Sequence, residues 1–189
     1  SDTFINETLN DILTKPLYNI KKPEKKTIVI DYGGPNIAKP LHVGHLRSAV
    51  VGESIKRMLK FMGHTVISDV HLGDYGLQIG QVIYGLQEKN IAPHEITLSM
   101  LEEIYPQMSQ LCKENEEVKT KCALITKELQ NGDETYQEYF KVIRKLSGND
   151  IKRIYDYLDV SFDYWYGESD SYPYIEMLTK DLEAKNLLE

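Results

Sequence analysis

The chain has 189 residues, of which 41% are hydrophobic and 27% charged, and this composition is typical of an ordinary globular protein. Its formal net charge is −7, so the chain as a whole offers no basic surface for nucleic acid, and an RNA contact would need a local patch or residues outside this chain. We find no signal peptide, no apolar run near the roughly 18 residues of a membrane span and no disulfide framework, and we therefore expect a cytoplasmic protein.

A short helix and a strand are predicted first. Residues 3–15 place apolar side chains on one side of a helix, and Pro16 discourages its continuation. The basic sequence KKPEKK, at 21–26, predicts a solvated connector. The β-branched and nearly continuous apolar run TIVIDY, at 27–32, then predicts a strand buried in a parallel sheet. We assign residues 1–25 to an N-terminal helix and connector.

A long helix and a second strand follow. From 42 to 62 apolar residues recur at helical spacing, and Gly63 stands where a helix usually ends in a left-handed residue. The apolar positions are Val43, Leu46, Val50, Ile55, Leu59 and Met62. The run TVISDV, at 65–70, predicts a second strand, which completes a right-handed βαβ unit. Residues 26–93 are therefore predicted to form the first half of a Rossmann-like domain.

Helices dominate the rest of the chain. Asp74 is expected to cap a helix over 75–86, and from 94 to 160 the periodicity is helical without strand signals, which predicts a helical insertion. Within this insertion SMLE resembles a capping box and NGDE predicts a turn. An amphipathic face follows that turn and is formed by Tyr136, Phe140, Ile143, Ser147, Ile151, Ile154 and Leu158. Residues 161–189 are predicted to be a return segment, with an aromatic loop and one more helix.

These elements predict an α/β fold. Two strands alone cannot make a stable doubly wound sheet, so we expect the remaining strands to lie beyond residue 189. The predicted architecture is a Rossmann-like (HUP-type) nucleotide-binding parallel sheet that is incomplete and carries a helical insertion. Because the sequence begins with Ser1 rather than with methionine, we also expect it to be a fragment of a longer protein.

Two histidines stand at the start of the long helix, in the sequence HVGH. His42 and His45 are three residues apart and therefore point to the same side of the helix. The loop before them leaves the carboxyl end of a parallel strand, where open sheets bind ligands, and the N–H groups of a helix N-terminus suit phosphate. Both imidazoles can donate to phosphate oxygens, Lys39 adds a cation, and Gly44 lets a flat purine approach the backbone. We expect no metal site, because a zinc-binding helix would carry HExxH and the glutamate is missing.

Three segments carry a resemblance to a known family. PNIAKPLHVGHLRS resembles the first signature of class I aminoacyl-tRNA synthetases, in the form seen in arginyl-tRNA synthetases. HLGDYGLQIG, at 71–80, resembles that family's H-x-G-D-W-G-x-Q-F-G, and FDYWYGES, at 162–169, resembles its F-D-x-x-x-G-E-S. The matches occur in the family's order across residues 31–169. The chain is therefore similar to the first half of an arginyl-tRNA synthetase catalytic domain.

The resemblance implies roles for individual residues. The residues that would bind ATP are His42, Gly44 and His45, and those that would act on the reacting phosphates are His42, His45 and Lys39. The residues that would bind the arginine substrate are Asp31, Gly34, Pro35, Asn36 and His45. The family usually has Glu where this chain has Asp31 and Ser where it has Gly34, which weakens the expected contacts there. A role in lining the site and a structural role both stay open for His71, Asp74 and Gln78.

The resemblance also implies an activity. It is the ATP-dependent activation of L-arginine to arginyl-adenylate, with Mg²⁺ accompanying ATP, followed by transfer of the arginyl group to tRNA(Arg). The tRNA would be bound mostly by regions outside this chain, and we expect the full-length enzyme to be a monomer. The family's KMSKS-like second signature is not found in these residues, so we expect the isolated chain to be inactive. An HxGH nucleotidyltransferase, which needs a compact five-stranded sheet, and a non-catalytic nucleotide-binding module stay open as alternatives.

Overall fold

The computed structural model describes residues 1–15 and 23–188. Its helices and strands, in chain order, are α1 (Asp2–Thr14), β1 (Thr27–Asp31), α2 (Val43–Phe61), β2 (Thr65–Leu72), α3 (Leu77–Glu88), α4 (Leu98–Glu114), α5 (Glu116–Gln130), α6 (Glu134–Tyr157), β3 (Tyr164–Gly167), α7 (Glu168–Ser171) and α8 (Ile175–Ala184). Pro16 and the first residues of the predicted connector lie outside the described residues. None of the described helices is both long and apolar enough to cross a membrane.

The described strands form one parallel sheet in the order β1-β2-β3. When right-handed crossovers add strands in one direction, their helices fall on the same face of the sheet. The burial of β2 agrees with this geometry, because alternate residues of that strand are buried and those between them are exposed or half-exposed. The buried positions are Val66, Ser68, Val70 and Leu72. The sheet therefore has one face covered by helices and one open face.

The segment predicted to be an aromatic loop is in fact the third strand. Residues Tyr164–Gly167 pair with β2, with Asp69 beside Tyr164 and Leu72 beside Gly167. The pairing is anchored by Asp163, whose carboxylate accepts hydrogen bonds from the backbone and the hydroxyl of Ser68 at 2.7 and 2.8 Å. The prediction of a loop was wrong because these bonds join residues far apart in the sequence, which no local pattern reveals.

Strand β1 and helix α2 are less buried than their apolar sequences indicate. The prediction that β1 is a buried strand was wrong, since Val29 lies on the open face and is 71% exposed. The helical periodicity of α2 is confirmed, but its buried residues are Ala49, Gly52, Glu53 and Lys56. Most of the apolar residues that predicted this helix are exposed, Val43 to 78%. The buried side of α2 thus includes a charged pair, Glu53 and Lys56, and Glu53 accepts hydrogen bonds from Tyr32, which follows β1, and from Ser161, which precedes β3.

Two predicted helix caps differ in the structure. Asp74 does not cap α3, whose N-cap is Gly76, because the Asp74 carboxylate is drawn into tertiary hydrogen bonds. The N-cap of α4 is Thr97, whose hydroxyl accepts from the backbone of Met100, so the capping box predicted at Ser99 was wrong. The left-handed Gly63 after α2, at φ +95°, is confirmed, as is the turn before α6.

The segment from 94 to 160 is helical, as its periodicity predicted. Helices α4, α5 and α6 pack against α3 and against one another. The largest fully buried side chains in these helices include Leu101, Ile104, Leu129, Ile143 and Tyr155. The thiols of Cys112 and Cys122 are buried with their sulfur atoms 3.6 Å apart, and both cysteines are free. The division of the chain into domains stays a prediction.

Candidate functional site

Helix α2 begins with two stacked imidazoles. His42 is the N-cap, and its Nδ1 accepts a hydrogen bond from the backbone of Gly44 at 3.1 Å. The Nδ1 of His45 accepts from the backbone of His42 at 3.4 Å, which completes a reciprocal capping box. The two rings are stacked with their centroids 3.9 Å apart. Histidine side chains thus take the place that Ser and Glu usually hold at a helix N-terminus.

These hydrogen bonds fix the tautomer of both rings. Because each Nδ1 accepts a hydrogen bond, the proton of each neutral imidazole is on Nε2, which is then a donor. Burial lowers the pKa of His45, and the neighbouring His42 and Lys39 lower it further. The lowered pKa favours the neutral form of His45. The pair offers two N–H donors beside the partial positive charge of the helix N-terminus, and this is the chemistry that suits a phosphate.

Gly44 has a structural role in this cap. A Cβ atom at Gly44 would lie 3.0 Å from both Cε1 and Nδ1 of the His42 ring. A side chain there would press the ring away from the hydrogen bond that it accepts. The glycine expected to admit a purine is therefore also what allows the His42 imidazole to fold back over the first turn of α2.

Three of the residues predicted to bind arginine, Gly34, Pro35 and Asn36, belong to the loop of residues 33–41, which we call the signature loop, whereas Asp31 ends β1 and His45 lies in α2. Asn36 forms an isolated parallel bridge with Gly73, the residue just after β2. Gly73 donates to the carbonyl of Pro35 at 3.0 Å and accepts from the backbone of Ile37 at 3.1 Å. The side-chain amide of Gln78 also donates to the carbonyl of Gly73, at 3.3 Å. The structure therefore brings Pro35, Asn36 and Gln78 together at the carboxyl ends of β1 and β2.

Carboxylates lie side by side on the open face of the sheet. Asp31, at the end of β1, is in register with Asp69 on β2, and His71 follows on the same face. Burial raises the pKa of Asp69, and the charge of Asp31 raises it further. The Oδ1 atom of Asp69 is buried without a hydrogen-bond partner. The sequence analysis missed Asp69, because only the strand register shows that it lies beside Asp31.

Asp74 does not line the cleft between these loops. Its side chain is fully buried, accepts from the backbone and hydroxyl of Ser169 at 2.8 and 2.7 Å, and pairs with Arg144 Nε at 2.8 Å. A Cβ atom at Gly167 would overlap this carboxylate. Of the two roles left open for Asp74, the geometry supports the structural one, since the residue joins the loop after β2 to α7 and to α6.

Lys39 lies in the signature loop, beside residues of α4 and α6. Together with Ala38 it lines a small cavity that is closed by Glu102 of α4 and Asp150 of α6. Its charge is nonetheless close enough to contribute to the lowered pKa of His45. In this structure Lys39 is therefore positioned to act on the imidazole pair through its field.

A buried ionic cluster that the sequence analysis missed fixes α2 to the sheet. Glu53 is 6% exposed and accepts from the hydroxyl of Tyr32 at 2.7 Å, from Lys56 at 2.6 Å and from Arg57 at 2.8 Å. The backbone of Ser161 donates to the same carboxylate at 3.1 Å. Burial alone would raise the pKa of Glu53, but these hydrogen bonds outweigh it and lower the pKa to about 2. Burial and the nearby Glu53 raise the pKa of Tyr32.

The described residues offer no protein-built metal centre. Across residues 1–15 and 23–188, no three His, Cys, Asp or Glu side chains come together in a way that would hold a metal ion.

Comparison with known proteins assigns the family. The model of the catalytic domain of class I tRNA synthetases (R) matches residues 8–189. The chain belongs to the arginyl-tRNA synthetase family. A curated arginine–tRNA ligase from Agathobacter rectalis is 46% identical over 198 residues, which cover 96% of this chain and 33% of that protein. Another, from Alkaliphilus oremlandii, is 41% identical, with coverage of 98% and 34%.

Solved structures agree with this assignment. The crystal structure of arginyl-tRNA synthetase from Plasmodium falciparum matches with a TM-score of 0.74 and 28% identity, over 100% of this chain and 34% of that chain. The Thermus thermophilus arginyl-tRNA synthetase matches with a TM-score of 0.63 over 89% of this chain, and its 20% identity supports the fold alone. The predicted family and α/β class are thus confirmed. This chain spans about a third of the length of the synthetases that it matches.

The family assignment also bears on the alternatives. A separate HxGH nucleotidyltransferase would need a compact five-stranded sheet, whereas the part of the chain that the structure describes has three strands. Both the sheet and the family match argue against that alternative.

Proposed function

We propose that this chain is the part of an arginine–tRNA ligase that binds the phosphates of ATP and one side of the arginine substrate. The observation that carries the proposal is the imidazole cap of α2, with two Nε2–H donors and a helix N-terminus at the carboxyl end of a parallel strand. The names of the relatives, arginine–tRNA ligase, support the substrate assignment.

The first chemical step is the formation of arginyl-adenylate. A carboxylate oxygen of arginine attacks the α-phosphorus of ATP, a new O–P bond forms, and the bond to pyrophosphate breaks. No general base is needed, because the carboxylate is already ionised near neutral pH. The protein contributes position and charge stabilisation. His42 and His45 would donate to phosphate oxygens, and Lys39 would add to the positive field.

The arginine substrate would lie over the start of the signature loop. Asp31 is the anionic partner for its α-amino group, with Asn36, Gly34 and Pro35 contributing polar and backbone contacts and His45 closing the site. Aspartate is shorter than the family's usual glutamate by one methylene. We infer that Asp69, in register with Asp31, adds to the negative field on this face.

The remaining participants would be bound largely outside these residues. Mg²⁺ would accompany ATP and be held by phosphates and water. tRNA(Arg) would receive the arginyl group through contacts made mostly by the rest of a cytoplasmic, monomeric enzyme. We infer that the 189 residues alone do not form arginyl-adenylate, because the family's KMSKS-like second signature is not found among them.

The test uses the complete protein that contains these residues. Arginine-dependent exchange between ATP and pyrophosphate is measured with tRNA present. The variant His45→Ala is expected to lose roughly 10²-fold or more in kcat/KM, the usual loss when one preorganised donor is removed. The matched control is His64→Ala, since the Nδ1 of His64 also accepts a backbone hydrogen bond, from Lys26 at 3.2 Å, at the far end of α2.

The outcomes separate the proposals. Equal rates of exchange by His45→Ala and His64→Ala would contradict the proposal that the imidazole pair binds phosphate. Wild-type protein that binds ATP but never exchanges pyrophosphate would instead support a non-catalytic nucleotide-binding module.

A further inference from the structure

Helix α6, within the helical insertion, reaches the signature loop with two buried polar side chains. Ser147 and Tyr155 are two turns apart on the same side of this helix and are 5% and 0% exposed. Each forms a hydrogen bond with the backbone of the signature loop, at opposite ends of the segment Gly33–Ala38. The helix thus holds both ends of this segment of the signature loop.

The first hydrogen bond is at Gly33. The Tyr155 hydroxyl donates to the Gly33 carbonyl at 2.9 Å, and burial raises the pKa of Tyr155 to about 12, so that the hydroxyl stays protonated. Gly33 has φ +89°, and a Cβ atom there would lie 3.2 Å from the Tyr155 hydroxyl oxygen. Just after β1 the chain therefore has both a left-handed backbone and a close hydroxyl group, and both favour glycine at this position.

The second hydrogen bond is at Ala38. Its backbone N–H donates to the Ser147 hydroxyl at 3.0 Å. Ala38 is 3% exposed and has φ +59°, a conformation that residues with a Cβ atom rarely adopt. Ser147 satisfies the buried N–H of this strained residue, which would otherwise lack a hydrogen-bond partner.

The same helix also holds the segments that follow the other strands. Arg144 lies one turn before Ser147, and its Nε pairs with Asp74 in the loop after β2. Asp74 in turn accepts both hydrogen bonds from Ser169 in α7, the short helix that follows β3. The segments after all three described strands are therefore tied to α6.

We propose that Ser147 and Tyr155 are positioning residues for adenylate formation, acting by fixing the signature loop at Gly33 and Ala38. The inference rests on the proposed function. Gly33 is two residues beyond Asp31, and only three residues separate Ala38 from His42. The two hydrogen bonds therefore set the distance between the side that binds arginine and the imidazoles that bind phosphate. A displacement of about 1 Å in such a geometry is enough to slow a reaction 10²-fold.

Tyr139 provides a matched control on the same helix. Its hydroxyl also donates to a backbone carbonyl at 2.9 Å, that of Ile91, and the residue is 8% exposed. Ile91 lies three residues beyond the end of α3 and is not part of the signature loop. Tyr155→Phe and Tyr139→Phe therefore remove the same atom and the same kind of bond, and we expect similar falls in the midpoint of thermal unfolding.

The experiment measures kcat and KM for arginine-dependent ATP–pyrophosphate exchange by the complete protein with tRNA. Tyr155→Phe is expected to lower kcat roughly tenfold to a hundredfold, with smaller changes in the KM for ATP and arginine, as is typical when transition-state geometry is disturbed. Ser147→Ala, at the other end of the loop, should do the same. Tyr139→Phe should keep the wild-type kcat well below its unfolding temperature.

The outcomes are distinguishable. An active wild type with equal kcat in Tyr155→Phe and Tyr139→Phe overturns this inference alone. A wild type without exchange overturns the proposed function and this inference with it.

Discussion

Replacing Glu53 by Gln removes the negative charge at the centre of the cluster that joins α2 to the sheet. The side chain keeps its shape and one acceptor oxygen. It no longer neutralises Lys56, which is 3% exposed. The change therefore leaves a buried ammonium group without its counter-charge, while the hydroxyl of Tyr32 and the backbone of Ser161 lose a charged acceptor.

The size of the effect follows from the pKa of Glu53. A pKa held at about 2, against an ordinary value of 4.5, corresponds to about 3 kcal/mol of stability at neutral pH. The cost of breaking a buried ion pair by removing one partner is about 3–5 kcal/mol, which agrees. Because the folded-state pKa is lowered, this stability is fully present above about pH 4.5 and is lost as the pH falls through about 2.

Urea unfolding of the 189-residue chain measures this difference. Trp165 is the one tryptophan in the sequence. It lies on β3 and packs against Phe162, so its fluorescence reports loss of the sheet. At pH 7 Glu53→Gln should cost about 3 kcal/mol, and at pH 3 the difference from wild type should shrink to about 1.4 kcal/mol. The control is Glu103→Gln, whose side chain is 60% exposed and pairs with Lys89 on the surface. We expect no measurable change in the control.

Two results would refute this reasoning. One is a cost at pH 7 no larger than that of the control. The other is a difference between Glu53→Gln and wild type that stays constant from pH 7 to pH 3.

The remaining predictions concern packing and thiol reactivity. Gly52→Ala should lower the free energy of unfolding by about 1–3 kcal/mol, because its Cβ atom would overlap the buried ring of Tyr32. Gly148→Ala in α6, with open space around its Cβ position, should instead raise the free energy of unfolding by about 0.5–1 kcal/mol. Equal effects of the two substitutions on urea unfolding would contradict the packing described for α2. Burial raises the pKa of Cys122 to about 12, so a disulfide reagent at pH 8 should label this thiol far more slowly in the folded chain than in urea. Equal labelling rates would show that the interface of α4 and α5 opens readily.

The features that could be predicted from the sequence are those formed by residues close together in the chain. The two histidines, the glycine between them and the long helix after them lie close together in the chain, and the structure places the imidazoles at the helix N-terminus as expected. The helical segment before β3 was likewise readable from its 3.6-residue period. For the signature itself, a short stretch of chain contains both the helix start and the side chains that cap it.

What the sequence could not predict depends on contacts between distant residues. Strand β3 exists because it pairs with β2, and Asp74 leaves its expected cap because Ser169 offers two donors. Ser147 could be placed on an amphipathic face, where a serine among apolar residues was the only signal. Its partner at Ala38 is 109 positions away, and Tyr155 is 122 positions from Gly33. The exposure of Val29 could not be predicted either, because the sequence of an apolar strand does not show whether helices cover one face of its sheet or both.

Binding of the triphosphate by the imidazole cap of α2 is tested most directly by a crystal structure of the complete protein with ATP and arginine. We expect phosphate oxygens to lie roughly 3 Å from Nε2 of His42 and His45, at the N-terminus of α2, with both Nδ1 atoms still bonded to the backbone. A triphosphate bound elsewhere, with the two rings still stacked and out of contact with it, would show that the imidazole cap does not bind the phosphates.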